Sequence, residues 1–243
     1  MGVGMLLSLD DFSADSFMVK GVFSFEIGGQ TLWITTTHIC LILVVLTLSI
    51  FSMFAKRSML KAAEVPTGFQ NFVEMGVDLL DGLVKSTMGK HAGVFRNYIG
   101  TIFIFILFSN LSGLFGLRPP TADYGVTFPL GVLTFTLITF NKFKYQHVSG
   151  VIKGLMSPWP FWIPINLIGD FAVPISLSLR LFANVLSGTV MMSLVYGLLS
   201  MIAYAWPGAL HVYFDMFSGA IQTYVFCMLT MTYITDARTT DEG

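Results

Sequence analysis

Apolar residues dominate the chain in long stretches that contain no formal charge. In chain order, the five longest of these stretches hold 29, 21, 18, 34 and 20 residues. A membrane-spanning helix needs about 20 largely apolar residues. The pattern therefore predicts about five membrane-crossing helices, within the stretches Glu26 to Lys56, Arg96 to Arg118, Asp123 to Lys142, Arg180 to Asp215, and Asp215 to Asp236.

The 34-residue stretch contains a signal for a chain reversal at Trp206-Pro207-Gly208. Proline cannot continue a helix interior, and glycine permits the turn. This break predicts a C-terminal helical hairpin, preceded by a first span and a helical pair. The predicted helices are 32–55, then 97–117 and 124–145, and finally the hairpin arms 175–205 and 209–235.

The predicted hairpin arms are longer than a membrane is thick. At 1.5 Å per residue they measure about 46 Å and 40 Å, whereas the hydrocarbon core is only about 30 Å thick. We therefore expect a strongly tilted hairpin. Before it, the segment 154–174 carries four prolines and is expected to be irregular and sheltered by protein, because bare backbone is not tolerated against lipid.

One segment, 66–90, has an amphipathic pattern. Glu74, Asp78, Asp81 and Lys85 follow one another at spacings of 4, 3 and 4 residues, which places them on one face of a helix. Apolar residues fill the rest of the segment. This pattern predicts an amphipathic helix at the membrane surface, and the alternative is a helix that packs on other protein.

Composition agrees with a protein whose solvent is a lipid bilayer. Of the 243 residues, 11% are charged and 54% are apolar, and the mean hydropathy is +0.75. An ordinary soluble domain has roughly 25% charged residues. These values exclude a disordered chain, a basic nucleic-acid-binding domain and a typical soluble enzyme. The fold class is therefore predicted as all-α, a single integral membrane domain over 1–243.

The Lys and Arg residues predict the orientation of the chain in the membrane. With five crossings, ten of the 13 basic residues fall on one side, and only Lys20 and Arg118 fall on the other. Basic residues are enriched on the cytoplasmic side of membrane proteins. We therefore expect residues 1–30 to lie outside and the C-terminus to lie in the cytoplasm.

Arg180 is the strongest single signal for a function. Its neighbourhood is uncharged, and an arginine at membrane depth costs at least ~2.5–3.5 kcal/mol. The guanidinium stays protonated at working pH, so it usually faces a cavity or an anionic partner. The alternative is an arginine that extends to the membrane interface. Asn184 lies four residues later on the same helical face, and Thr189 is nearby.

The second arm of the hairpin carries a polar stripe. Asp215, Ser218 and Gln222 follow at i, i+3 and i+7, and His211 lies one turn earlier. A carboxylate, a hydroxyl and an amide on one face of a membrane helix suggest a hydrated path for ions. For Ser218 and Gln222, hydrogen bonds between helices are an equally good explanation. Asp170, at the edge of the Pro-rich segment, is interpreted as a helix cap or as part of an aqueous funnel.

Motifs for nucleotide, metal or covalent chemistry are missing. The sequence has no GxxxxGK[ST], no GxGxxG after a strand and no HExxH. We therefore expect neither a cofactor nor a metal site, and no nucleotide-binding site within this chain.

Three sequence segments resemble a known family. PISLSLRLFANVLSG resembles the arginine motif of subunit a of F-type ATP synthases. SNLSGLFGLRPPTADYGVTF resembles the end of that family's second span and the loop that follows, and SGAIQTYVFCMLTMTYI resembles its last helix. The resemblance extends in order over roughly residues 30–236.

The resemblance implies a mechanism and a set of partners. Subunit a is the stator half of a membrane motor and adjoins a rotating ring of c subunits, each with a carboxylate at mid-membrane. Two offset half-channels connect that contact to opposite sides. By resemblance, Arg180 is the essential arginine, Asn184 is the polar residue one turn later, and Gln222 is the last-helix glutamine. The implied partners are the c-ring, the b-subunit peripheral stalk, the other synthase subunits and the lipid bilayer, but no nucleic acid.

The sequence departs from the family at one pair of positions. Some members place an acidic residue nine positions after the arginine and pair it with a histidine on the last helix. Here those positions hold Thr189 and Asp215, so we expect Asp215 to supply the carboxylate of the outward-facing half-channel. The transported ion, a proton or Na⁺, stays open at this point, and a bacterial plasma membrane is the expected location.

Two other functions compete with this hypothesis. A stand-alone secondary transporter or channel would need a substrate site of its own. A structural subunit of another membrane complex would pair Arg180 with a fixed partner.

Overall fold

The computed structural model describes residues 21–27, 30–60, 68–115, 117–156, 159–198, 210 and 212–238. These residues form mainly long helices. In chain order the α-helices are α1 Thr36–Leu60, α2 Phe69–Met88, α3 Ala92–Leu111, α4 Tyr124–Leu155, α5 Ile163–Leu198 and α6 Gly219–Arg238.

Five helical stretches of the described chain are long and apolar enough to cross a membrane. The predicted all-α polytopic membrane protein with about five crossing helices is therefore confirmed. These stretches are Thr36–Leu60, Phe69–Phe115, Tyr124–Gln146, Pro160–Met192 and Val212–Arg238.

A short β-hairpin precedes the first span and was not predicted. Strand β1, Gly21–Ile27, pairs antiparallel with β2, Gln30–Thr35, which leads directly into α1. The signal was present in the sequence, because residues 23–27 alternate apolar and polar residues, QTLWIT is rich in aromatic and β-branched residues, and only Gly28-Gly29 separates the two strands. Residues 1–20 of the predicted outside segment lie beyond the described residues.

The Pro-rich segment is largely helical, so the prediction of irregular structure over 154–174 is wrong for most of it. After a 3-10 turn at Pro160–Trp162, α5 begins at Ile163 and continues through Pro174. Pro164 falls in the first turn, where its missing N–H costs nothing. Pro174 removes one helical hydrogen bond, which membrane helices tolerate when neighbouring groups take up the freed carbonyl.

Helix α5 has 36 residues, which corresponds to a length of about 54 Å if the helix is straight. Because that length exceeds the hydrocarbon core, a strongly tilted hairpin stays our prediction. The expected turn at 206–208 lies outside the described residues.

The apolar core lies where α2, α3, α5 and α6 meet. Its fully buried side chains include Val84, Ile99, Ile106, Leu181 and Phe226. Helix α2 thus packs one side against the bundle, whereas Phe72 and Leu79 are exposed on another side. Its position at the membrane surface stays a prediction.

Candidate functional site

Helix α5 places Arg180 on the outside of the bundle. Leu177 and Leu181 are buried in the core, and Arg180 is exposed between them. Within the described residues, no hydrogen bond or ion pair to its guanidinium is present. An arginine in a membrane helix that faces away from its own protein core needs an anionic partner supplied by its surroundings.

Asn184 connects α5 to the segment before α6. The Ser218 hydroxyl donates a hydrogen bond to Asn184 Oδ1 over 3.2 Å, so two predicted site residues meet. Thr189 lies further along α5 and is exposed, and its hydroxyl donates to the carbonyl of Val185 over 2.7 Å.

A π-helix, Val212–Ser218, leads into α6 and contains Asp215. The wider i to i+5 turn of a π-helix breaks the 3.6-residue period from which the single polar stripe was predicted, and such segments are frequent at functional sites. The side chain of Asp215 and the whole of His211 lie outside the described residues, so the prediction of their roles stays open.

Gln222 points into the protein rather than toward the surface. Its side chain is 7% exposed, and its amide Nε2 has no hydrogen-bond partner in the described part of the chain. Nearly all buried polar groups in proteins are hydrogen-bonded, and exceptions are typical of functional positions. Its burial beside the π-helix agrees with a role that goes beyond packing.

A buried hydrogen-bonded cluster lies at the end of the bundle where α3 ends and α6 begins. Asn110 Nδ2 donates to the carbonyl of Gly219 (3.1 Å) and to Thr223 Oγ1 (3.4 Å), and Asn110 Oδ1 accepts from Thr121 Oγ1 (2.7 Å). We call these four residues the Asn110 cluster. None of these four residues was among the predicted site residues. Thr121 lies in the Pro-Thr-Ala-Asp element, which was the available signal.

The opposite end of the bundle holds an ion pair. Lys142 Nζ of α4 lies 2.7 Å from Asp170 Oδ2 of α5. Asp170 is seven residues inside α5, so its interpretation as a helix cap is wrong. Beside the pair, a cavity of about 380 Å³ opens between α4, α5 and α6. Of these groups, only Asp170 was predicted as a site residue.

Comparison with known proteins identifies the family. The family model described as ATP synthase A chain matches residues 37–235. The chain belongs to the ATP synthase A chain family. It is 33% identical to "ATP synthase subunit a, sodium ion specific" of Propionigenium modestum, over 93% of this chain and 80% of the relative. It is 31% identical to "ATP synthase subunit a" of Moorella thermoacetica, over 89% of this chain and 95% of the relative.

As a member of the ATP synthase A chain family, the chain is an integral membrane protein that serves ion transport in ATP synthesis. Along its α5, Asp170 precedes Arg180 by ten residues and Asn184 follows it by four. At a rise of 1.5 Å per residue, Asp170 and Arg180 are thus about 15 Å apart along the axis of α5. The exposed cation therefore lies between two polar regions that reach opposite ends of the bundle.

Proposed function

We propose that this chain is the stator subunit through which ions cross the membrane against a rotating c-ring. The observation that carries the proposal is the exposed guanidinium of Arg180, which has no partner among the described residues. A carboxylate carried past it by a neighbouring subunit would supply that partner. The polar regions on either side of Arg180 along α5 would then form two offset half-channels.

The guanidinium suits this gate because it holds its charge. Arginine is not deprotonated in proteins, so Arg180 attracts a passing carboxylate in its ionised form without relaying a proton itself. This prevents ions from passing directly between the half-channels. The membrane potential supplies about 2.3 kcal/mol per charge per 100 mV to drive the motion.

The Asn110 end would carry the outer half-channel and the Asp170 end the inner one. We assign Asn184, Thr189, Asp215, Ser218, Gln222 and His211 to the outer path, and Asp170 to the inner path. Two observations support the outer assignment: the hydrogen bond between Ser218 and Asn184, and the buried amide Nε2 of Gln222, which has no partner among the described residues.

The proposed setting is a bacterial plasma membrane, with the N-terminus outside and the C-terminus in the cytoplasm. The c-ring would cover the face that bears Arg180, and a b-subunit stalk would hold the chain in place. The transported ion is proposed to be a proton or Na⁺, since one relative carries the name "sodium ion specific". Stimulation of ATP hydrolysis by Na⁺ would identify Na⁺, and hydrolysis that does not depend on Na⁺ would identify the proton.

Replacing Arg180 tests the function directly. In inverted membrane vesicles, Arg180→Ala should abolish ATP-driven ion pumping while the complex still assembles. Arg57→Ala removes an exposed arginine near the end of α1 and should leave pumping intact. Coupled pumping in Arg180→Ala would overturn the proposal. Purification of the chain without a c-ring would favour the transporter or the structural subunit instead.

Replacing Asp215 tests the outer path. Asp215→Asn removes the carboxylate but keeps the size of the side chain, and should slow ion translocation in the same vesicles. An unchanged rate would move the outer half-channel away from the π-helix.

A further inference from the structure

The cavity at the Asp170 end has a polar rim and apolar walls. Its volume is about 380 Å³, and it lies where the end of α4, the start of α5 and the end of α6 meet. Polar side chains come from all three helices, whereas aromatic and aliphatic residues line the rest. The polar residues are Thr139, Lys142, Gln146, Asp170, Tyr233 and Asp236.

The ion pair at this rim joins two helices. Lys142 is 26% exposed and Asp170 is 43% exposed, so each charge keeps contact with water while the pair closes over 2.7 Å. The groups that face Asp170 across the cavity are Lys142 on α4 and Tyr233 and Asp236 on α6. The Gln146 amide donates to the main-chain carbonyl of Asp236 over 3.4 Å.

Asp170 offers a second acceptor at the same place. Because Pro174 has no N–H, it cannot donate the helical hydrogen bond to the main-chain carbonyl of Asp170, four residues earlier. Helix α4 approaches closely here, since a methyl group on Gly131 would lie 2.6 Å from the carbonyl oxygen of Pro174. The Asp170 carboxylate thus lies at the rim against the Lys142 ammonium, and the main-chain carbonyl of Asp170 lacks the donor that a residue other than proline would supply at position 174.

We infer that Lys142 is a positioning residue for ion transfer at this rim, a role that rests on the proposed function. Its ammonium holds the Asp170 carboxylate in place and balances its charge. The Lys142–Asp170 pair carries no net formal charge, and without Lys142 the Asp170 carboxylate leaves a charge of −1. Conduction requires that an ion bind well enough to enter and weakly enough to leave. Lys142 therefore keeps the rim from retaining a cation.

The experiment measures passive flux of the translocated ion through vesicles stripped of the soluble ATPase sector, as the ion concentration on the cytoplasmic side varies. Lys142→Gln should lower both the maximal flux and the half-saturating ion concentration, the latter by roughly threefold or more, because the negative charge of Asp170 is left unbalanced. Lys142→Arg should restore both values. Lys144→Gln, on the same helix and exposed, is the matched control and should change neither.

A purely structural ion pair would behave differently. In that case Lys142→Gln would lower flux through loss of assembled complex, with the half-saturating concentration unchanged, and this result would overturn the inference. If Lys142→Gln fails to assemble, the exchange Lys142→Asp with Asp170→Lys keeps an ion pair and moves the carboxylate to α4. Because the exchange keeps the charge of the rim and moves only the carboxylate, it tests the positioning role: the maximal flux should fall, and an unaltered maximal flux would also overturn the inference.

Failure of the proposed function is distinguishable from failure of this inference. If the proposed function fails, the ion flux through wild-type vesicles is absent or is not changed by Arg180→Ala. If only the role of Lys142 fails, wild-type vesicles conduct normally and Lys142→Gln shows the same half-saturating concentration.

Discussion

The two polar regions of the bundle are built from different chemistry. In the Asn110 cluster the groups are neutral, are at most 3% exposed at Asn110, Thr121 and Thr223, and hydrogen-bond to one another. At the Asp170 end the groups are charged, partly exposed and beside a cavity. Burying a neutral group is inexpensive once it is hydrogen-bonded, whereas burying a charge is costly even in a pair. The difference indicates a rigid end and an open end.

The largest loss of stability should come from removing the hydrogen bonds of the Asn110 cluster. Asn110→Leu removes three hydrogen bonds, and at about 1 kcal/mol each it should lower the free energy of unfolding by about 3 kcal/mol. Detergent titration of the purified complex, followed by circular dichroism, measures the change. Asn97→Leu changes an exposed residue of the same helix and should have little effect. Equal losses in both variants would contradict a rigid Asn110 cluster.

The next largest loss of stability is expected where α4 packs closely against α5, between the two polar regions. A methyl group on Gly131 would meet the Pro174 carbonyl and lie 3.2 Å from Cβ of Ser178, so Gly131→Ala should cost about 1–3 kcal/mol by overpacking. Gly154, also in α4, has nothing within 4 Å of an added methyl group. Gly154→Ala should be neutral or stabilising in the same titration. No loss in Gly131→Ala would show that α4 and α5 move apart freely.

A smaller loss of stability is expected from breaking the contact between Arg238 and Tyr145, which we call the Arg238 clamp, near the Asp170 end of the bundle. Arg238 of α6 donates to the Tyr145 hydroxyl, and its guanidinium lies 4.1 Å from the Tyr145 ring centre and 5.1 Å from that of Phe95. Tyr145→Phe keeps the ring and should lower the thermal midpoint by the equivalent of about 0.5–1.5 kcal/mol. Tyr224→Phe, at an exposed tyrosine, should not. A larger loss in Tyr224→Phe would refute the clamp.

The smallest effect is expected for an exposed ion pair within α2. Lys85 Nζ lies 2.7 Å from Asp81 Oδ2, but the Lys85 side chain is 66% exposed. Lys85→Gln should lower the thermal midpoint only slightly, and the difference should vanish as salt rises from about 0.01 M to 1 M. A large effect that persists in salt would mean that this pair resembles the one at Asp170.

The charge map of the sequence predicted the membrane fold and the position of Arg180, because both follow from where charge is absent. It also predicted that Asn184 and Ser218 are polar residues on facing helices. It could not predict the pairing of Lys142 with Asp170, since these residues are 28 apart and meet only through the packing of α4 on α5. The helical structure of 163–174 was missed because prolines were read as breakers without regard to their positions in the turn.

The exposure of Arg180 also bears on how the proposed complex is put together. A copy of this chain without a neighbouring ring holds a guanidinium against lipid, at a cost of ~2.5–3.5 kcal/mol. Supplying the carboxylate relieves that cost, which corresponds to roughly a hundredfold preference for the assembled state. The residue that gates the ion would thus also make the chain less stable alone than in the assembled complex. A membrane protease would then remove unassembled copies first.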